Sequence, residues 1–307
     1  MQKPLMTGCA LLFSLMSIAD PLDDSLRLTA SEEAQVINQL NLRLDSADKK
    51  LKFRSGSFSL ADGRIRLQVP DDLRFINGGQ SRFVLEQLWG NSPDSSVIGM
   101  IVNRKFSVNR SANDFSFVIG YNEIGHVPDA DVSKIDFPSL LSQLQEHMEA
   151  ANDNRKKFGY NTMKVTGWAG EPTYDAKQNM LTWATEISVS GTEERILNYE
   201  VRLLGRSGVI TISAVATMDQ LATVKELLPR IVEEIQFESG FAYSDFKPER
   251  ETEGTWKLED LVTGKEPENA GKTMSTSRKV LFSLGGLALA AGFAFSISKR
   301  KGRSMQA

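Results

Sequence analysis

Glu123, His126, Asp129, Asp131 and Asp136 bring four carboxylates and an imidazole into one short stretch of the chain. Alternating carboxylates in a loop can hold Ca²⁺ or Mg²⁺ through oxygen ligands. This stretch lacks the Asp-x-Asp-x-Asp-Gly spacing and the distal Glu that would complete such a loop. Acidic residues ahead of a helix are also favoured by its positive N-terminal end, so no metal is expected. His126 beside Asp129 and Asp131 could be a general base oriented by a carboxylate. No Gly-x-Ser-x-Gly elbow, P-loop or zincin helix completes such a site, and a surface or hairpin histidine is the competing reading. The chain has two histidines, His126 and His147, and one cysteine, Cys9. Two imidazoles are too few for most zinc sites, and no cofactor motif appears.

A second group could bind rather than react. Arg206 is bracketed by Gly205 and Gly208 between two predicted strands. It could clamp an anion, or the segment could be a hairpin turn whose glycines take positive φ. Trp168 and Tyr174, with Trp89, Tyr160, Trp183 and Tyr199, could line a cleft or fill a core. Arg206, Trp168 and Tyr174 are therefore the candidate ligand-binding residues. His126, Asp129 and Asp131 are the candidates if the protein is an enzyme.

The elements that must position these groups alternate strands with helices. A helix is predicted over about 31–41, with Ser31 capping it and Glu32-Glu33 in its first turn. Segments 53–60 and 65–69 form a hairpin about Asp62-Gly63. A short helix covers 79–89, with Phe83, Leu85 and Leu88 inward. Strands follow at 97–102 and 115–121. Leu140, Leu141, Leu144, Met148 and Ala151 fall on one face of a long helix that starts near Pro138 and ends near Phe158-Gly159. Four strands come next, at 163–168, 181–190, 197–204 and 209–216. A last helix spans about 219–235, where Pro229 predicts a kink or a restart. Residues 240–246 look like a packed extended tail, and 258–262 like one helical turn. Strands in adjacent hairpins with helices at intervals predict an α+β fold, a mostly antiparallel sheet covered by helices. The order resembles the layered α/β/α sandwich of the Mog1/PsbP type.

The termini read differently. Lys3, an apolar stretch from about Leu5 to Ile18 and a small-x-small Ser17-Ile18-Ala19 predict a secretory signal peptide over 1–19. Cys9 would leave with it, so no disulfide is expected in the remainder. Residues 280–298 form an uncharged apolar run of about 28 Å as a helix, close to bilayer thickness. Val280, Leu284, Leu287, Leu289, Phe293, Phe295 and Ile297 would face lipid. Ala288, Gly292 and Ser296 recur every fourth residue, a small-residue face through which two copies could associate. Lys299, Arg300, Lys301 and Arg303 follow, as in a cytoplasmic tail. Of the 36 basic residues, seven lie in residues 1–19 and 278–307, which carry no acid. The stretch 20–277 is therefore strongly acidic and has no electrostatic footprint for nucleic acid. The layout predicts a signal at 1–19, a periplasmic α+β domain at 20–262, a flexible tether at 263–279, a transmembrane helix at 280–298 and a basic tail at 299–307.

Several groups recur together: Trp89-Gly90-Asn91, Gly120-Tyr121, Gly125-His126-Val127, Asn154-Arg155, Gly159-Tyr160, Gly167-Trp168, Pro172-x-Tyr174-Asp175, Leu181-x-Trp183-Ala184, Asn198-Tyr199 and Leu204-Gly205-Arg206-x-Gly208. In these the chain resembles an uncharacterised bacterial family described as predicted membrane-anchored proteins of unknown function. The resemblance implies an inner-membrane envelope protein with a signal and a C-terminal anchor, and no catalytic residues to carry over. The expected function is a binding or scaffolding module that engages the lipid bilayer and an unidentified envelope protein. The alternative is an envelope hydrolase built on the His126 region.

Overall fold

The structure is a computed structural model and describes residues 30–89, 91, 93–108, 115–157, 161–193 and 195–267. The expected signal peptide, most of the expected tether, the apolar run 280–298 with its lipid-facing and small-residue positions, and the basic tail lie outside the described residues. Among the described residues no helix is long and apolar enough to cross a membrane.

Two antiparallel sheets carry the fold. The larger has seven strands in the order β3 (Leu73–Asn77), β4 (Val97–Asn103), β5 (Ser116–Asn122), β9 (Val209–Thr217), β8 (Arg195–Leu204), β7 (Met180–Val189) and β6 (Met163–Asp175). It is two meanders joined side by side. One runs β3 to β5. The other starts at the far edge with β6 and returns to lay β9 against β5. The 21-residue helix α3 (Phe137–Lys157) makes the crossing. The smaller sheet orders β1 (Gly56–Leu60), β2 (Ile65–Val69) and β10 (Ile235–Phe237). Helix α1 (Ala30–Asp48) precedes it, α2 (Gly78–Arg82) runs into a π-wound turn at Phe83–Leu88, α4 covers Leu221–Glu234, and α5 covers Leu258–Thr263. The α+β class and the mostly antiparallel sheet agree with the pattern of apolar periodicities.

Each face of the large sheet is covered. On one, α4 sends Val224, Leu228 and Ile231 into a continuous core with β1, β2, β10 and the strand residues Phe75, Ile101, Phe117, Ile119, Val201, Ile210 and Ile212. On the other, α3 lies along β6 and buries Leu140, Leu144 and Met148. Asn152, one turn further on, binds Met163 in both directions: its Nδ2 donates to the carbonyl at 2.8 Å and its Oδ1 accepts from the amide at 2.9 Å. A buried amide so satisfied fixes the helix in register with the strand edge.

Several differences from the expected elements have local causes. Strand β3 follows directly on Pro70-Asp71-Asp72, where turn chemistry hides a five-residue strand. Strand β6 continues to Asp175, because irregularities between Val165 and Thr173 let it pass Gly167, Gly170 and Pro172 while still pairing with β7. Phe83, expected inward, is 42% exposed and Val84 is buried instead, while Leu85 is buried as expected. The π winding shifts the face presented by that turn. Helix α4 runs through Pro229 without interruption. Pro229 and Lys225, whose carbonyl loses its amide partner, are both exposed, so water can satisfy the freed acceptor.

Candidate functional site

The loop after β5 carries the carboxylates and the histidine, and the C-terminal extension from Glu238 to Gly254 closes over it. The Gly125 amide donates to Ser207 O at 3.0 Å, and the Gly254 amide donates to His126 O at 2.7 Å. The loop is thus held between the β8–β9 turn on one side and the extension on the other. Two glycines permit this approach. A Cβ on Gly254 would stand 2.7 Å from Ile124 O and 2.9 Å from His126 O, and one on Gly125, at φ +87°, would stand 2.8 Å from Gly254 Cα.

His126 is 7% exposed. Its ring stacks on Phe246 (3.8 Å between centroids, 3° between planes) and on Tyr243 (4.4 Å, 27°). Nδ1 is buried without a hydrogen-bond partner. Burial holds the imidazole pKa below its usual value; the Arg206 and Gly205 backbone and the Glu253 and Asp129 carboxylates only partly oppose this. His126 is therefore neutral at pH 7. Asp129 accepts a hydrogen bond from Tyr174 Oη at 2.8 Å, and Tyr243 Oη donates to Val127 O at 3.0 Å. Burial first, and Asp129 second, raise both phenol pKa values well above the ordinary range, so neither ionises in physiological conditions.

The remaining candidates are paired. Asp131 is exposed and bonded to Lys134 at 2.5 Å. Asp136 stands at the start of α3, where its carbonyl and carboxylate receive Ser139. Glu123 lies 3.4 Å from Arg64. These carboxylates do not converge, and no group of three or more His, Cys, Asp or Glu among the described residues could hold a metal ion. Arg206 donates through Nε to both Glu251 oxygens, at 2.8 and 3.1 Å, and through a terminal nitrogen to Gly240 O at 3.1 Å. Its turn is a hairpin connection closed by Gly205 N to Gly208 O at 2.8 Å. Neither glycine takes a positive φ. They are required for space: a Cβ on Gly205 would stand 2.5 Å from the Phe237 ring, and one on Gly208 2.6 Å from Asn122 O. Trp168 is half-buried six residues up β6 from Tyr174, so the structure gathers His126, Asp129, Tyr174 and Arg206 at one end of the sheet and leaves Trp168 and Asp131 apart. His147, given no site role by the sequence, places Nδ1 3.0 Å from Thr263 O and ties α3 to α5.

Comparison with known proteins adds a family. A family model described as "Protein of unknown function (DUF2167)" matches residues 52–297. The chain belongs to the DUF2167 family. The match contains all the motifs that carry the resemblance and reaches into the apolar run. No curated protein sequence matches. Among solved structures, the chain is similar to cyanobacterial PsbP (CyanoP) from Synechocystis sp. (14% identity, 61% of this chain and 92% of that one, TM-score 0.35). It is similar also to LpqN of Mycobacterium tuberculosis, described as involved in cell envelope biogenesis (14%, 63% and 96%, 0.31), and to the Saccharomyces cerevisiae Ran-binding protein Mog1p (12%, 61% and 96%, 0.31). At these identities and TM-scores the likeness says nothing of ligand or activity.

The buried imidazole predicts a pH dependence. A histidine whose pKa is lowered on folding leaves the unfolded state binding more protons between the two pKa values, so stability rises with pH through that window. Stability is complete above the unfolded value of about 6.5 and is lost as pH falls towards the depressed folded value. His126→Phe keeps a ring for the stack and removes the titration. Urea midpoints measured from pH 7.5 down to 5 should fall less steeply for the variant than for the wild type.

Proposed function

We propose that this member of the DUF2167 family is a non-catalytic binding or scaffolding module of the bacterial envelope. It is exported by its N-terminal leader and held in the inner membrane by residues 280–298, with the α+β domain periplasmic and the C-terminus cytoplasmic. One observation carries the non-catalytic part. The groups that could do chemistry are engaged by the chain's own residues: His126 is stacked on Tyr243 and Phe246 and Arg206 is paired with Glu251, all three partners on the C-terminal extension, and Asp129 is bonded to Tyr174 of β6. The cluster is a clasp that fastens the segment leading to the apolar run. Export and anchoring are supported by the leader-like first 19 residues, the apolar run with its basic tail, and the acidic balance between them. The face formed by Ala288, Gly292 and Ser296 would let two anchors pair.

Alkaline phosphatase fused after residue 277 should be active in a bacterial host, and the full-length chain should resist extraction by alkaline carbonate. An inactive fusion or an extractable chain would overturn the topology. Crosslinking in native membranes, read by mass spectrometry, should recover a dominant envelope partner. His126→Ala should weaken the clasp without abolishing any turnover, and discovery of an activity lost in both His126→Ala and the still-folded His126→Phe would sink the non-catalytic reading.

A further inference from the structure

The two faces of the large sheet differ in a way that packing alone does not explain. The face under α4 has one continuous apolar core. The face under α3 has two separate ones. The first gathers Met100, Val102, Val118, Met148 and Met163, and the second Leu140, Leu144, Leu181 and Trp183. Between them the strand register places a buried polar strip. Thr185 on β7 is opposite Asn198 on β8, and Glu200 on β8 is opposite Ser213 on β9. Thr185, Asn198, Glu200 and Arg202 are 2, 3, 1 and 7% exposed.

Part of the strip is internally satisfied. Glu200 Oε2 accepts from Arg202 and from Ser213 Oγ, each at 2.6 Å, and the Arg202 guanidinium lies 4.9 Å from the centre of the Trp183 ring. The rest is not. Glu200 Oε1, Arg202 Nε, Asn198 Oδ1 and Thr185 Oγ1 are all buried with no partner. Thr185 and Asn198 stand directly across from each other and do not bond. Buried polar atoms in folded proteins are normally partnered, and each one left alone destabilises the fold. The four lie on one face of two neighbouring strands, Thr185 on β7 and Asn198, Glu200 and Arg202 at alternate positions of β8.

We infer that this strip is a binding site for a small, net-neutral molecule rich in hydroxyl or amide groups. Glu200 Oε1 and Asn198 Oδ1 accept, Arg202 Nε donates and the Thr185 hydroxyl does either, so the occupant must both donate and accept hydrogen bonds. Glu200 and Arg202 already cancel each other's charge, so a charged occupant would be buried without compensation. The row through Thr185 and Asn198 ends at Trp168 on the edge strand, which is half-buried and forms the solvent side of the site. The inference rests on the domain being a binding module and is independent of how it is attached to the membrane.

The test uses the full-length protein in detergent and thermal unfolding followed by tryptophan fluorescence. Erythritol, D-glucose and acetamide are the neutral probes; methylammonium chloride and sodium acetate are the charged ones. At least one neutral probe should raise Tm by about 4 °C at ten times its Kd. Polyols also stabilise proteins by exclusion from their surface, so the readout is the difference between wild type and Thr185→Val, which should lose the response. Thr185→Ser should keep it, and Asn198→Leu should lose it; should Asn198→Leu not fold, the Val and Ser pair decides. A response to the charged probes alone overturns the ligand class. Equal responses in wild type and Thr185→Val, or a crystal structure with ordered water only in the strip, overturn the site. Either failure leaves partner capture in membranes as a separate measure of the scaffolding role.

Discussion

Replacing Arg202 with methionine should cost about 3–5 kcal/mol of folding stability, because it leaves the Glu200 carboxylate buried without its counter-charge. A domain of this size has about 5–15 kcal/mol in total, so the variant should unfold at a much lower urea concentration or accumulate poorly. The loss comes from breaking the pair, and the double variant tells breaking from removal. Glu200→Gln with Arg202→Met takes away both charges, and replacement of a buried pair by uncharged groups is often neutral or stabilising. The double variant should therefore recover most of the single variant's loss, giving a strong coupling in a double-mutant cycle. Equal losses in the single and double variants would mean that Glu200 is not held as an ion by Arg202. Ser213, the other donor to Glu200 Oε2, should contribute less: Ser213→Ala removes one hydrogen bond and leaves the charge pair in place.

How much of this was legible in the sequence depends on what each residue's neighbours are. Helix α3 was clear, because Leu140, Leu144 and Met148 recur at helical spacing and all three are buried. The β1–β2 hairpin was clear because Asp62-Gly63 names its own turn, and Ala61, Asp62 and Gly63 do take positive φ. The packed extension was legible as apolar residues in an irregular segment. The polar strip was not. Along β8, Asn198, Glu200 and Arg202 alternate with Tyr199, Val201 and Leu203, which in an isolated sequence is the pattern of a strand with one wet face. Only the tertiary arrangement puts that face under cover and turns an ordinary alternation into a buried site. The clasp was half legible. His126, Asp129, Tyr174 and Arg206 stood out by type, but their partners Tyr243, Phe246 and Glu251 lie about 45 to 120 residues away along the chain, and spacing cannot report such pairings. Gly205 and Gly208 were assigned to the right turn for the wrong reason, since the Phe237 ring and Asn122 O that exclude a side chain there come from other strands.

Trp256→Ala should release the C-terminal extension. Trp256 is 2% exposed and sits with Leu258, Leu261 and Val262 of α5 against Leu140, Leu144 and Leu181. Truncation of a buried tryptophan costs about 3–5 kcal/mol, and here the loss falls on a peripheral segment whose opening need not unfold the sheets. The expected sign is new cleavage by trypsin after Arg250, Lys257 or Lys265 under conditions where the wild type stays intact, with the sheet amides still protected from hydrogen exchange. Simultaneous loss of protection in β5 and β9 would instead make the extension part of the global fold. The release also bears on the proposed attachment. In the wild type α5 ends at Thr263, and Gly264 takes a left-handed φ of 69° as its cap, so about 15 residues separate the docked chain from residue 280. If the extension opens from Gly240, the free segment grows to about 40. A coil of 40 residues has a root-mean-square span of roughly 35 Å, against roughly 21 Å for one of 15. Trp256→Ala should accordingly let a crosslinker on the domain reach lipid-distal partners that the wild type does not touch. Under the proposed attachment the clasp would set the height at which the module works, and the residues that look most like an active site would do so by holding their own chain.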